Sequence, residues 1–253
     1  MKIVTLTNNV KILDLFLQGV EDKSQVIVGL DNVIPEKEYG CQLIGISTLC
    51  DEFLSKFTTF KKCILINHLI EQGHRQFLHC DDDCAILKPV NLDNTRLKPA
   101  PRRYKNETFL GKIFDCKEHR YIAGNFVFNL SEKEAELYLS MFSDFVAKMR
   151  EHPYLFFPQK NDNFNHIRDR YANKHYLDVP CLDNFFAEIE KIEDREFVTT
   201  FYDIGRISLQ GFKEYLLETE LNCSILHFNS GRDKIKYMEL FYEVMSEKSA
   251  GQE

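Results

Sequence analysis

The sequence contains no tryptophan, no Cys-x-x-Cys pair and no long uninterrupted run of apolar residues. Without such a run, it offers no candidate for a transmembrane helix. Its eight cysteines are scattered, and several lie inside apolar stretches, where a free thiol packs as a small hydrophobe. Their spacing argues against a zinc site and a disulfide framework. We therefore expect reduced thiols and a cytoplasmic protein.

Clustered positive charge is also missing. The chain has 32 Lys and Arg against 39 Asp and Glu, which gives a net charge of −7, and its pI is about 5.7. Because binding to a nucleic-acid backbone needs clustered basic residues, we expect no nucleic-acid partner.

The composition is that of an ordinary globular protein. The 253 residues are 44% hydrophobic and 28% charged, and we find no internal repeat or low-complexity tract. We predict one domain over residues 1–245 and a disordered polar tail over 246–253.

The first 90 residues alternate between strand and helix patterns. Short apolar runs predict strands, and amphipathic segments between them predict helices; a further strand, a long helix opened by a Ser131–Glu134 capping box, and a final helix to about Met245 follow. The predicted strands cover residues 3–6, 25–30, 77–80, 85–87, 121–130 and 224–228, and the main helices follow Asn9 and cover 61–72, 131–151 and 234–245. This alternation predicts an α/β fold with a parallel sheet.

Polar residues stand where three of these strands end. They are Thr7-Asn8-Asn9, Asp31 and Asp81-Asp82-Asp83. Ligands of open α/β sheets bind outside the carboxyl ends of the strands. The three groups therefore predict a binding site at one edge of the sheet.

The Asp81–Asp83 cluster indicates a cation site. In extended backbone, Asp81 and Asp83 project to the same face. Two carboxylates ~5 Å apart, at an effective dielectric of ~20, repel by roughly 3 kcal/mol, which a bound cation would offset. Oxygen-rich sites suit Mg²⁺ or Mn²⁺, which often serve phosphate-bearing substrates. An acidic surface turn is the alternative interpretation.

Four segments, in this order and spacing, resemble nucleotide-sugar glycosyltransferases of the GT-A fold, and glycosyltransferase family 8 in particular. The segment Leu78-His79-Cys80-Asp81-Asp82-Asp83-Cys84-Ala85-Ile86-Leu87 looks like the Asp-x-Asp motif between two strands. The other three are Ile122-Ala123-Gly124-Asn125 with the following apolar strand, Leu182-Asp183-Asn184, and the stretch from His227 through Gly231 to Lys234.

The resemblance implies a GT-A-like (Rossmann-like) domain with a central, mostly parallel mixed sheet flanked by helices. It implies a transferase that moves a sugar from a nucleoside-diphosphate sugar, expected to be a UDP-sugar, to a glycan or other hydroxyl acceptor, with a retaining course possible. The cofactor would be Mn²⁺ or Mg²⁺, and an imidazole beside two carboxylates favours Mn²⁺.

The resemblance also implies roles for individual residues. The metal ligands would be Asp81, Asp83 and His227. The nucleotide-sugar-binding residues would be Thr7, Asn8, Asn9, Asp31, Asp82, Gly231 and Lys234. The catalytic residues would be Asp183, Asn184 and Asn125.

Two other functions remain open. An apolar strand running into Asp-x-Asp also begins some metal-dependent phosphohydrolases, although here Cys84-Ala85 follow it instead of the usual Gly or Thr. A sugar-nucleotide-binding module without catalysis is the other, because Ile122 and Asn184 stand where family 8 usually has Asn and Gln.

Overall fold

The structure is a computed structural model that describes most of the chain. The described residues are 2–90, 125–152, 181–182, 184–186, 188–189, 201–203, 207–221, 223–228 and 233–250.

Eight strands form two sheets. They are β1 (Lys2–Thr7), β2 (Val26–Leu30), β3 (Gln42–Gly45), β4 (Gln76–His79), β5 (Cys84–Ile86), β6 (Phe126–Asn129), β7 (Phe201–Asp203) and β8 (Ile225–His227). The main sheet has the order β3-β2-β1-β4-β6, and the second sheet has the order β5-β8-β7. In the main sheet, β1 to β4 are parallel and β6 is antiparallel to β4. The predicted mostly parallel mixed sheet is therefore confirmed.

Five helices flank these strands. They are α1 (Val10–Gln18), α2 (Phe60–Glu71), α3 (Glu132–Glu151), α4 (Leu209–Glu218) and α5 (Lys234–Ala250). Short 3₁₀ turns cover Lys23–Gln25, Ile46–Thr48 and Leu54–Lys56, and the described residues between 181 and 189 are helical.

Local capping sets several of these boundaries. The Asn9 side chain accepts hydrogen bonds from the backbone N–H groups of Lys11 and Ile12 and so begins α1. Ser131 and Glu134 form the predicted capping box at the start of α3. After α2, Gly73 adopts a φ of +87°, a left-handed conformation that suits glycine at a helix end.

One predicted boundary differs from the structure. The last helix does not end near Met245 but continues to Ala250, where the sequence predicts a disordered tail. Its last turns are supported by a hydrogen bond from Ser249 Oγ to the Met245 carbonyl and by the Lys248 ammonium on a carbonyl of α4. Of the strand predicted over 121–130, residues 121–124 lie outside the described residues, and β6 pairs with β4 within the described chain.

The two faces of the main sheet pack against different helices. One face, which carries Val4 and Phe77, contacts α2 and α3 through an aromatic cluster that includes Phe128 stacked on Phe77. The other face packs on α1. Alternation of buried side chains along each strand supplies both faces. A third cluster joins the second sheet to α4 and α5.

None of the helices in the described part of the chain is both long and apolar enough to cross a membrane.

Gly29 of β2 lies where α2 packs against the sheet. A Cβ at Gly29 would lie 2.8 Å from Leu65 Cδ2 and 2.9 Å from Ile46 Cδ1, and both of these side chains are fully buried. We expect Gly29→Ala to lower the free energy of unfolding by about 1–3 kcal/mol because the core there is already filled. The matched control is Gly45→Ala on β3, where the nearest atom, Thr48 Cγ2, is 3.8 Å away. Urea denaturation measures both variants, and equal values would contradict the packing argument.

Candidate functional site

The three polar strand ends meet at one edge of the main sheet, as the sequence predicts. The backbone N–H of Asp31, after β2, donates to the carbonyl of Thr7 at the end of β1, at 2.9 Å. The Thr7 hydroxyl, which is buried, donates to Asp82 Oδ2 at 2.7 Å. A backbone hydrogen bond and a side-chain hydrogen bond thus connect the residues at the carboxyl ends of β1, β2 and β4.

The first turn of α2 adds two lysines to this edge. Lys62 Nζ lies 2.6 Å from Asp81 Oδ1, and Lys61 Nζ lies 2.6 Å from Asp31 Oδ1. In the chain α2 lies between β3 and β4, so its N-terminus reaches the carboxyl edge of the parallel strands. The sequence analysis missed both lysines. Adjacent cations in a first helical turn are unfavourable beside the positive end of the helix dipole, which was a usable signal that they have acidic partners.

The second sheet contributes His227. Strand β5 pairs antiparallel with β8 so that Cys84 lies opposite His227, directly after Asp83. His227 Nε2 is 3.2 Å from Asp83 Oδ1 and 3.9 Å from Asp81 Oδ2. The backbone N–H of Phe228 donates to the Asp83 carbonyl at 2.8 Å. Residues from the first third and the last tenth of the chain therefore share one site.

Lys234, the first residue of α5, adds a third lysine to the site. Its ammonium donates to Asp83 Oδ2 at 3.1 Å and lies 3.8 Å from Asp82 Oδ1. Burial disfavours the charged amine, but Asp83 and Asp82 together raise the pKa of Lys234 above its usual value. The ammonium therefore remains charged at neutral pH.

The neighbouring carboxyls Asp82 and Asp83 have different proton affinities. Burial is the largest effect on Asp82 and raises its pKa to about 6. Burial also acts against the charged form of Asp83, but the hydrogen bond and charge of His227, with the charge of Lys234, outweigh it and lower the pKa of Asp83 to about 2. Asp83 is thus a carboxylate at neutral pH, as a metal ligand must be.

Asp83 and His227 are spaced as two adjacent ligands of a divalent cation would be, and Asp81 lies next to them. Ligand atoms that share an octahedral ion at about 2.1 Å stand about 3 Å apart when they are adjacent. The 3.2 Å separation of His227 Nε2 and Asp83 Oδ1 matches this spacing. Asp81 Oδ2 lies 3.9 Å from His227 Nε2, so the Asp81 carboxylate would have to move toward the imidazole to share the ion. Two carboxylates with one imidazole suit Mn²⁺.

Cys84 lies close enough to be considered a fourth ligand. Its Sγ and ligand atoms of Asp83 and His227 all lie within 4.8 Å of one another. However, complete burial, with the nearby Cys80 thiol and Asp83, raises the pKa of the Cys84 thiol far above its usual range. The thiol instead donates to Asn125 Oδ1 at 3.2 Å. Because metals bind the thiolate, we do not count Cys84 among the ligands.

The remaining predicted site residues differ in burial and in whether their side chains are engaged elsewhere. Asn8 is exposed beyond β1, and the side chain of Asn9 is used in capping α1. Asn125 is buried beside Asp81, and Asn184 is half-buried in a helical segment. Asp183, Gly231 and Ile122 lie outside the described residues.

Known proteins resemble this chain in structure. No protein-family model matches it, and no curated protein matches its sequence. The bifunctional glycosyltransferase WbbM is 9% identical with a TM-score of 0.51, covering 96% of this chain and 49% of its own. GlyE of Streptococcus pneumoniae TIGR4 is 12% identical with a TM-score of 0.46, covering 100% of this chain and 64% of its own. The galactosyltransferase LgtC, in complex with donor and acceptor sugar analogues, is 10% identical with a TM-score of 0.45, covering 96% of each chain.

These comparisons concern the fold. The chain spans about half the length of WbbM and about two thirds of GlyE. At identities this low the likeness shows shared architecture, and the TM-score to WbbM is the one of the three above 0.5. The GT-A-like α/β fold expected from the sequence motifs is confirmed.

Removal of the Lys234 charge is expected to strengthen cation binding. The Lys234 ammonium competes with a cation for Asp83 and repels it, so Lys234→Met should bind Mn²⁺ more tightly than wild type, by about tenfold, when no nucleotide is present. Lys236→Met is the matched control, because Lys236 lies on the same helix and pairs only with the exposed Asp233 among described residues. Mn²⁺ titration followed by electron paramagnetic resonance measures both, and unchanged or weaker binding in Lys234→Met would contradict the competition.

Asp82 is expected to make the stability of the metal-free protein depend on pH. Its folded-state pKa of about 6 lies above the ordinary 3.8, so the folded protein holds this proton more tightly than the unfolded chain does. Stability is therefore lost as the pH rises from about 4 to about 6. Asp82→Asn should be more stable than wild type by up to about 3 kcal/mol at pH 8, since one pKa unit corresponds to about 1.4 kcal/mol. Urea denaturation in chelator at pH 4 and pH 8 measures this, and an equal gain at both values would speak against it.

Proposed function

We propose that this protein is a metal-dependent glycosyltransferase of the family-8 type. It transfers a sugar from a nucleoside-diphosphate sugar, with UDP as the nucleotide, to a hydroxyl of a glycan or similar acceptor. The proposed cofactor is Mn²⁺, held by Asp81, Asp83 and His227.

One observation carries the proposal: acidic and basic side chains from distant parts of the chain meet at the carboxyl edge of a parallel sheet. Asp83 and Lys234, 151 residues apart in sequence, are in contact there, with His227 beside them. Carboxylates and an imidazole beside the Lys234 ammonium match the chemistry of a diphosphate with its bound metal. The fold likeness to the glycosyltransferase WbbM supports the same class of reaction.

The residues of the site would divide the work of transfer. The bond between the sugar carbon and the diphosphate oxygen would break with its electron pair on the diphosphate, while the acceptor hydroxyl oxygen would bond to the sugar carbon and give up its proton. A cation held by the Asp cluster and His227 would supply Lewis-acid stabilisation of the diphosphate charge. Lys234, at the N-terminus of α5, moves from Asp83 to a phosphate oxygen and adds a charge-assisted hydrogen bond, and the free amides of the helix start add a favourable dipole.

The strand ends would bind the nucleoside. Thr7, Asn8 and Asp31 stand at the ends of β1 and β2, beside the Asp cluster, where a ribose or base would lie next to its diphosphate. Asn9, in the same turn as Thr7 and Asn8, would also bind the nucleoside. Asp82 lies between Thr7 and Lys234 and would contact the donor. Gly231 is proposed to allow close approach of the backbone to the ligand.

The chemical step is assigned to Asp183, Asn184 and Asn125. In the retaining course that we propose, no strong base is needed, because Asp183 binds hydroxyls of the donor sugar while the two amides orient it. In an inverting course, Asp183 would instead deprotonate the acceptor hydroxyl.

Asp83→Asn is expected to abolish both donor binding and sugar transfer, because the variant loses a metal-binding carboxylate. In wild type, UDP-sugars should raise the unfolding temperature in the presence of Mn²⁺ and not in chelator, since a ligand at 100 times its Kd stabilises by about 2.7 kcal/mol. Transfer should fall at least about 100-fold in the variant. Asp14→Asn, on α1 and paired with Lys37, is the matched control and should behave as wild type.

Three results would count against the proposal. Sugar transfer that persists in chelator would show that the reaction needs no metal. Release of phosphate from an aryl phosphate without sugar transfer would favour the phosphohydrolase. Binding of UDP-sugars with Mn²⁺ but no donor turnover, including hydrolysis, would favour a non-catalytic binding module.

A further inference from the structure

Asn125 is a buried amide that contacts Asp81, the first residue of the Asp81-Asp82-Asp83 segment (here called the Asp turn), and Cys84, directly after that segment. It stands directly before β6 and is only 2% exposed. Its Oδ1 accepts a hydrogen bond from the backbone N–H of Asp81 at 3.1 Å and another from the Cys84 thiol at 3.2 Å. One oxygen atom therefore links Asp81, at the start of the turn, to Cys84, the residue after the turn.

The strand register explains why this link is needed. The pairing of β4 with β6 ends at His79 opposite Phe126, so the next pair along the register would be Cys80 with Asn125. The N–H of Cys80 donates to the Val4 carbonyl of β1, on one side of β4. The next N–H, that of Asp81, faces the other side, where β6 lies. There it meets the Asn125 side chain, which replaces the carbonyl that a continued strand would have supplied.

Two donors on Oδ1 determine how the amide is oriented. A flipped amide would set its NH₂ group against the Asp81 N–H, donor against donor, and the buried arrangement excludes this. The pKa of the Cys84 thiol is raised by burial, so the thiol keeps its proton and remains a donor. Within the described residues, Asn125 Nδ2 has no hydrogen-bond partner, so the hydrogen bonds of this side chain there are all made by Oδ1.

We propose that Asn125 is the positioning residue of the cation site, which it supports through the Asp81 backbone and not by touching the ion. Because Oδ1 holds the N–H of Asp81, it sets the direction in which the Asp81 carboxylate leaves the turn toward His227. The inference rests on the proposed function, and it is separate from the catalytic role assigned above to the same residue. Residues that orient metal ligands typically change metal affinity by 10- to 100-fold when they are replaced.

Three variants separate the acceptor from the rest of the side chain. Asn125→Leu keeps the size and removes Oδ1, and we expect it to weaken Mn²⁺ binding at least about tenfold without nucleotide. Asn125→Asp keeps an acceptor oxygen at this position and should bind Mn²⁺ at least as tightly as wild type. Asn129→Leu is the matched control at the other end of β6, where Asn129 accepts from the exposed Gln76, and it should leave Mn²⁺ affinity unchanged.

The measurement is Mn²⁺ titration by electron paramagnetic resonance, with the unfolding temperature of each variant recorded in chelator. If Asn125→Leu does not fold, Asn125→Ala, which also lacks Oδ1, takes its place. Wild-type affinity in the Leu or Ala variant, or an equal loss in Asn125→Asp, would overturn the positioning role. Wild-type protein that binds no Mn²⁺ would overturn the proposed metal function together with this inference. Binding that Asp83→Asn abolishes and Asn125→Leu leaves intact would overturn the inference alone.

Discussion

Three consecutive aspartates can remain in a largely buried turn only if positive charge faces them, and the rest of the site follows from this constraint. Lys62 contacts Asp81, Lys234 contacts Asp83 and approaches Asp82, and the imidazole of His227 lies beside Asp83. A buried carboxylate without a partner would cost several kcal/mol or take up a proton. Asp82, which has the longest of these cationic contacts, is shifted toward the second response: burial raises its pKa to about 6, so it takes up a proton at a higher pH than an ordinary aspartate does.

The fold brings these partners together from elements that are far apart in sequence. Lys62 comes from the first turn of α2, His227 from β8 and Lys234 from the first turn of α5. In an α/β sheet, helices that precede a parallel strand begin at its carboxyl edge, so helix starts and strand ends share that edge. The second sheet, through β5 and β8, closes the site from the other side.

The same geometry suits an anionic ligand that carries a divalent cation. Carboxylates that already pair with ammonium groups can exchange these partners for a metal cation. The released ammonium can then bind a phosphate. The Asp31–Lys61 pair, with both side chains 8% exposed, connects the start of α2 to the end of β2. Close packing at Gly29 keeps that helix near the strand ends. Stability and ligand binding are thus served by neighbouring ion pairs that differ in their access to solvent.

Local chemistry was readable from the sequence. Apolar periodicity predicted most strands and helices of the first 90 residues, though not β3, the Ser131–Glu134 spacing predicted the capping box, and the polar strand ends predicted the sheet edge where those residues meet. These features depend on residues close together in the chain. Prediction failed where the deciding contact was distant: the end of α5 depends partly on a carbonyl of α4.

The sequence by itself therefore determined an α/β chain with an acidic turn at a strand end. Only the tertiary structure decided which cations face that turn, which of Asp82 and Asp83 binds a proton more tightly, and that a single amide oxygen connects the turn to the residue before β6. The physical reason is that charge and hydrogen-bond partners act over a few ångströms, and separation along the chain does not reveal which groups the sheet brings that close.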